Sequence, residues 1–240
     1  MRNNTNSEPL SIDCLHSQSD LWSCERLRYL VDRPLRNKAL ESIEERRRHL
    51  ASLPPFTLHP SYAGTNDHAG LAFVTPGTIS LPRRYGRLLY SIAAAQRPRL
   101  TLEAGAGLGV SGMYLAAATA LTRTGQFLSF EIGDYFRVAE ESIRMVLPEG
   151  QVIPDDFGNF HRHIPPAARV DLCFLDSKHD LDTVIRDYKA LLGWLAPRAV
   201  VLIDDVMSTP SSRDGWKHIV ARGDFPFAAL IQNRIGFLAR

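Results

Sequence analysis

The sequence predicts an α/β protein built on a doubly wound, mostly parallel sheet, and three features carry that expectation. From residue 83 onward, apolar strand-like runs alternate with amphipathic helical runs, as strands joined by covering helices do. Residues 99–120 (RLTLEAGAGLGVSGMYLAAATA) pass from an apolar strand through alternating glycines into a helix of small and apolar residues. Near the end, Phe227 to Ile231 and Ile235 to Leu238 are separated only by Gln232, Asn233 and Arg234. That link is too short for a helical crossover, so these two strands pair as an antiparallel hairpin.

Length and composition bound the rest. A chain of 240 residues with 45% hydrophobic content can bury one α/β core and a modest extension. A net charge of +2 is too mild to argue for nucleic acid as a partner. The first twenty residues are polar and lack the apolar core of a signal peptide, and no apolar run approaches the ~20 residues of a membrane span. A cytoplasmic protein is expected, with no membrane partner. Cys14, Cys24 and Cys173 show no CxxC spacing and are expected as reduced thiols.

Residues 1–75 read as a helical cap and lid ahead of a core domain at 76–240. Ser19 or Asp20 can cap a short helix carrying Leu21, Trp22, Leu27 and Leu30. After Pro34, the positions Leu35, Ala39, Leu40, Ile43 and Leu50 trace one helix face. Arg46, Arg47 and Arg48, interleaved with acids, read as its solvated side. Residues 56–82 are rich in breakers, including Gly64 and Gly70, and contain His59 and His68. This segment reads equally as a cover over a substrate or as a connector. Arg83 to Gln96 is a helix leading into the first core strand.

Glycines at alternate positions after that strand let the backbone turn sharply and let a ligand approach amides that a Cβ would shield, so a nucleoside-type ligand is expected. Two patterns fit. Gly107, Gly109 and Gly112 satisfy the dinucleotide pattern GxGxxG. Glu103, Gly105, Gly107 and Gly109 form an acid followed by three alternating glycines. The next strand, Gln126 to Phe130, ends in Glu131 and precedes a helix from Tyr135 to Val146. A short strand, Gln151 to Ile153, is followed by Asp155, Asp156 and Phe157. His161 and His163 lack a nearby third ligand and read as surface residues. Asp171 to Leu175 ends in Asp176, Asp180 caps a long helix, and Ala199 to Ile203 ends in Asp204 and Asp205. Ligands in such sheets lie beyond the carboxyl ends of the strands, where all these acids arrive.

With these residues in hand, the chain resembles the class I S-adenosylmethionine-dependent methyltransferases over roughly residues 75–240. The resemblance implies their seven-stranded sheet with its terminal antiparallel hairpin. It implies cofactor contacts from Glu103, Gly105, Gly107, Gly109 and Ser111 around the methionine part, and from Glu131 at the ribose diol. Asp156, preferred over Asp155, and Phe157 would meet the adenine, and Asp176 would close the site. The strand ending Asp176-Ser177-Lys178-His179, with Asp204-Asp205 after the next strand, is similar to a branch of small-molecule O-methyltransferases. In its metal-dependent members the equivalents of Asp176, Asp204 and Asp205 hold Mg²⁺, and a metal-free version in which the acids only order loops stands beside it. His179 or Lys178 would take the proton from the acceptor. The chain departs from the pattern in having Asp204-Asp205 for the usual Asp-Asn, no second acid in DSKH, and Pro197-Arg198-Ala199 for Pro-Gly-Gly.

The expected reaction is transfer of a methyl group from S-adenosylmethionine to a hydroxyl of a small molecule, with Mg²⁺ as an option and a homodimer compatible with the branch. N-methylation of a small molecule, another use of S-adenosylmethionine such as its cyclisation, and NAD-dependent oxidoreduction remain as alternatives. The [DN]PP[YF] motif of enzymes that methylate nucleic-acid amino groups is absent.

Overall fold

In the computed structural model, which describes residues 9–35, 37–62 and 70–240, the apolar runs assemble into one eight-stranded sheet with helices on both faces. Gly64 and His68 lie outside the described residues. Strand β1 (Ile12–Ser17) is followed by helices α1 (Cys24–Asp32) and α2 (Lys38–Leu50). Two short strands, β2 (Phe56–Thr57) and β3 (Phe73–Val74), pair with each other. The core then runs α3 (Arg83–Gln96), β4 (Leu100–Ala104), α4 (Val110–Thr119), β5 (Gln126–Phe130), α5 (Phe136–Arg144) and β6 (Gln151–Ile153). It continues with β7 (Val170–Leu175), α6 (Leu181–Leu192), β8 (Leu195–Ile203), α7 (Pro210–Arg222), β9 (Phe227–Ile231) and β10 (Ile235–Ala239).

The sheet order is β1-β9-β10-β8-β7-β4-β5-β6. The strands from β4 to β8 are parallel neighbours, while β10 runs antiparallel to both β8 and β9. The chain steps outward from β4 to β5 and β6, then crosses back to β7 on the other side of β4. Connections therefore diverge from the carboxyl ends of β4 and β7, which opens a crevice there. One face of the sheet packs on α1 to α5, the other on α6 and α7. Every residue of α4 is buried, which is why its sequence is apolar or small on all sides.

The sequence-based reading needs correction at the amino terminus. The sheet has eight strands instead of seven, because β1 pairs antiparallel with β9 at the edge. Ile12, Cys14 and His16 alternate inward, a period of two that short length and polar neighbours mask. Cys14 and Cys24, with Cα atoms 6.2 Å apart, are joined by a disulfide, so of the three cysteines only Cys173 is free, buried within β7. Ser23 caps α1, while the Ser19 hydroxyl accepts from the amides of Leu21 and Trp22. Not all of the arginine run faces solvent: Arg46 Nε donates to Ser142 Oγ at 3.0 Å and its guanidinium pairs with Glu141 on α5. Among the described residues no helix is long and apolar enough to cross a membrane.

Candidate active site

The glycine loop is a backbone device. Gly105, Gly107 and Gly109 all have positive φ, at 86°, 52° and 84°, which L residues rarely adopt. A Cβ on Gly105 would lie 2.2 Å from the carbonyl oxygen of Asp176, so glycine is what lets β4 and β7 close on each other at this point. Gly105 N donates to Phe130 O at 2.9 Å and Asp176 N donates to Ala104 O at 2.8 Å, which ties the three strand ends together.

Glu131 locks that loop. Its Oε2 accepts from Gly107 N at 2.8 Å and its Oε1 from Gly133 N at 2.7 Å. Each carboxylate oxygen retains a further lone-pair direction, so the group can still accept hydrogens from a ligand. Burial pushes its pKa up to about 7, against the opposing pull of the Gly133 and Gly107 amides.

A cleft of about 290 Å³ runs over these groups and collects Gly105, Gly107, Glu131, Asp176, His179, Asp204 and Asp205 on one surface. Leu58, Tyr62, Leu71 and residues 78–81 also line it, so the described parts of the breaker-rich segment border the cleft. Beside it, a crevice of about 40 Å³ is lined by Gly105, Asp156, Phe157 and Lys178, with Asp155, Phe130 and Arg186. Tyr62 lines both, with Lys178 Nζ 5.7 Å from its ring centroid. Asp156 caps the 3₁₀ turn at Phe157–Arg162 through Gly158 N and pairs with Arg186 Nη2 at 2.9 Å. His163 bonds to Asp155 at 2.9 Å, and His161 is exposed.

Three sequence-derived cofactor residues are not on the cleft. Glu103 is fully buried between the sheet and α4, where Ser129 Oγ donates to it at 2.6 Å and Ser111 also bonds to it. Its Oε1 has no hydrogen-bond partner among the described residues, and burial raises its pKa to about 7. Strand alternation explains the placement: Leu102 and Ala104 face α6 and α7, so Glu103 faces the opposite side. Ser111 is the partner of Glu103, and Gly109 packs against Ala139 of α5, which leaves no room for a Cβ.

The acid cluster joins His179 to Arg234, a residue that the sequence does not mark as part of a site. His179 Nε2 lies 3.3 Å from Asp176 Oδ1, and its Nδ1 lies 3.9 Å from Asp205 Oδ2. Burial and the Asp204 charge raise the Asp176 pKa well above the usual carboxylate range. Arg234 then reaches Asp204 with both arms of its fork, Nε to Oδ1 at 2.8 Å and Nη2 to Oδ2 at 2.6 Å, and lies 3.3 Å from Asp205 Oδ1. The Asp176, Asp204 and Asp205 set expected to hold Mg²⁺ meets this guanidinium. Both oxygens of the buried Asp204 are engaged by a guanidinium, and among the described residues no group of three or more His, Cys, Asp or Glu side chains is arranged to hold a metal ion. The signal for Arg234 was its place after the hairpin turn, since the register pairing Gly236 with Ile203 carries residue 234 alongside Asp205.

Comparison with known proteins bears on the same strands. Residues 102–206, from β4 through Asp205, match a family model described as "Methyltransferase domain". Over these residues the chain is similar to methyltransferase domains. Solved structures share the fold of this domain and its flanks. The O-methyltransferase TomG from Streptomyces achromogenes, in complex with SAM, aligns over 94% of this chain and 99% of its own at 17% identity, with a TM-score of 0.59. SAH-bound methyltransferase PaMTH1 from Podospora anserina covers 90% of this chain and 94% of its own at 14% identity, with a TM-score of 0.61. An O-methyltransferase from Bacillus cereus in complex with SAH covers 91% and 98% at 16% identity, with a TM-score of 0.55. No curated protein matches the sequence.

Proposed function

We propose that the methyltransferase domain transfers a methyl group from S-adenosylmethionine to a hydroxyl oxygen of a small molecule. The observation that carries this reading is the sharing of one cleft by the Gly105–Gly107 turn, the Glu131 carboxylate and the His179–Asp176 pair. The residues suit the cofactor: the turn admits close backbone approach, Glu131 can accept two ribose hydroxyls, and Asp156 with Phe157 lines the neighbouring crevice on the side where the base is expected. The O-methyltransferases among the structural neighbours support an oxygen acceptor.

S-adenosylmethionine, when bound, supplies an electrophilic methyl on a sulfonium. The chain has to place the acceptor oxygen in line with that methyl and remove its proton. A hydrogen bond from His179 Nε2 to Asp176 leaves the lone pair on Nδ1, and His179 is then the base that receives the hydroxyl proton. Lys178, held over the Tyr62 ring beside the base crevice, borders the cofactor side. Leu58, Tyr62, Leu71 and residues 78–81 line the cleft, whose volume of about 290 Å³ suits a small acceptor.

Transfer of a labelled methyl from S-adenosylmethionine to a panel of hydroxylated and amine compounds tests the reading. Label on oxygen is expected, with His179→Ala lowering kcat by about 10²–10⁴-fold while S-adenosylhomocysteine affinity stays within about threefold. Label on nitrogen, or turnover of S-adenosylmethionine with no acceptor present, contradicts it.

A further inference from the structure

We propose that Arg234 is the cation of this active site, standing where a divalent metal would sit among Asp176, Asp204 and Asp205 and presenting its remaining amino group to the acceptor oxygen. The proposal deepens the methyl-transfer reading above and rests on it for the acceptor's position.

The placement begins with local backbone. Gln232 and Asn233 have φ of 52° and 49°, and Arg234 N donates to Ile231 O at 3.0 Å. Two successive left-handed residues make a type I′ turn, whose twist matches that of the strands it joins. The turn of the β9–β10 hairpin therefore ends at the carboxyl edge of the sheet, and Val206 N donates to Arg234 O at 2.9 Å, which pins the turn to the end of β8. Asp205 also holds positive φ, at 49°, so both sides of this contact are conformationally committed.

The side chain is equally fixed. Asp204 binds two of its nitrogens in a bidentate pair, the strongest ordinary arrangement for a guanidinium and a carboxylate. The guanidinium carbon lies 4.8 Å from the centroid of the Tyr85 ring, which backs it from one side. Burial alone would lower the Arg234 pKa, but the bonds and charge of Asp204, with Asp205 and Asp176, raise it, so the group is always charged. Its Nη1 has no hydrogen-bond partner among the described residues, while Arg234 lines the cleft with His179. A divalent ion binding Asp204 would have to evict this guanidinium and leave a partly buried charge without its counter-ion, which is strongly unfavourable.

The chemical consequence is definite. A fixed positive charge at the acceptor oxygen stabilises the negative charge that grows as His179 removes the proton, the role a metal ion plays in a metal-dependent enzyme. No bond to Arg234 forms or breaks. Its Nη1–H groups donate to the oxygen throughout.

Mn²⁺ binding to the full chain, followed by electron paramagnetic resonance, tests this without reliance on turnover. Wild type is expected to bind no stoichiometric Mn²⁺ and to keep its activity in EDTA. Arg234→Ala, which uncovers the carboxylates, is expected to take up one Mn²⁺ per chain, and Arg234→Lys, which keeps the charge, is expected to exclude it. Arg234→Ala should also lose about 10²–10³-fold in kcat with KM for S-adenosylmethionine unchanged, and Arg234→Lys should lose less. One tightly bound Mn²⁺ in the wild type, wild-type kcat in Arg234→Ala, or a folded Arg234→Ala that binds no Mn²⁺ overturns the proposal. Titration with S-adenosylhomocysteine separates the failures: absence of that binding in the wild type removes the methyl-transfer reading, whereas retained binding together with Mn²⁺ uptake by the wild type removes only the role of Arg234.

Discussion

Along the wall of the cleft that follows β4 and β5 lie the backbone of the Gly105–Gly107 turn and one carboxylate, Glu131, that the amides of Gly107 and Gly133 hold in place. Along the wall that follows β7, β8 and the β9–β10 turn, the lining groups are ionisable side chains: Asp176, His179, Asp204, Asp205 and Arg234. The first wall is made within thirty residues of chain, by a loop and the strand beside it. Assembling the second takes three separate strand connections, and its central ion pair joins residues 30 apart in sequence. Local construction suits a cofactor that offers fixed groups, and construction from several loops suits an acceptor that differs between enzymes of one fold.

The comparison is sharpened most by Glu131→Gln. The carboxylate is expected to accept both ribose hydroxyls, so the amide should weaken S-adenosylhomocysteine binding by about 100-fold, read by calorimetry. Because the ionised form is the acceptor and burial sets its pKa at about 7, wild-type affinity should fall as pH drops below that value, and the variant should lose most of this dependence. A pH-independent wild type would break the distinction between the two walls.

A smaller effect is expected at Glu103, which lies beneath the first wall. Its folded pKa of about 7 stands above the usual 4.5, so the folded state keeps a proton that the unfolded chain has released. The stability this contributes is full below about 4.5 and is lost as pH rises through about 7. Glu103→Gln should therefore leave S-adenosylhomocysteine affinity within about threefold and stabilise the protein at pH 8 by roughly 1–2 kcal/mol. Thermal denaturation at pH 5 and pH 8 checks the sign. A variant that binds the ligand tenfold more weakly places Glu103 back in the site.

Much of the fold was legible because the core elements carry unambiguous periods. Arg83–Gln96, Gln126–Phe130 and Gln151–Ile153 occupy the residues that spacing alone assigns them. The edge strand β1 was not legible, since six residues with polar neighbours carry too little pattern, and neither was the Cys14–Cys24 bridge, which depends on that strand's position. Motif residues show where the first wall lies, but the pattern cannot tell which face of β4 Glu103 takes, and alternation turned it inward. Arg234 is hidden for another reason. Its charge looks like an ordinary hairpin residue until the sheet order brings β10 beside β8.

The central claim is that this cleft receives a sulfonium nucleoside and not a dinucleotide. Calorimetric titration of the full chain at pH 8 with S-adenosylhomocysteine and, separately, with NAD tests it most directly. One S-adenosylhomocysteine per chain with no heat from NAD is the predicted result; saturable NAD binding with none for S-adenosylhomocysteine contradicts the account.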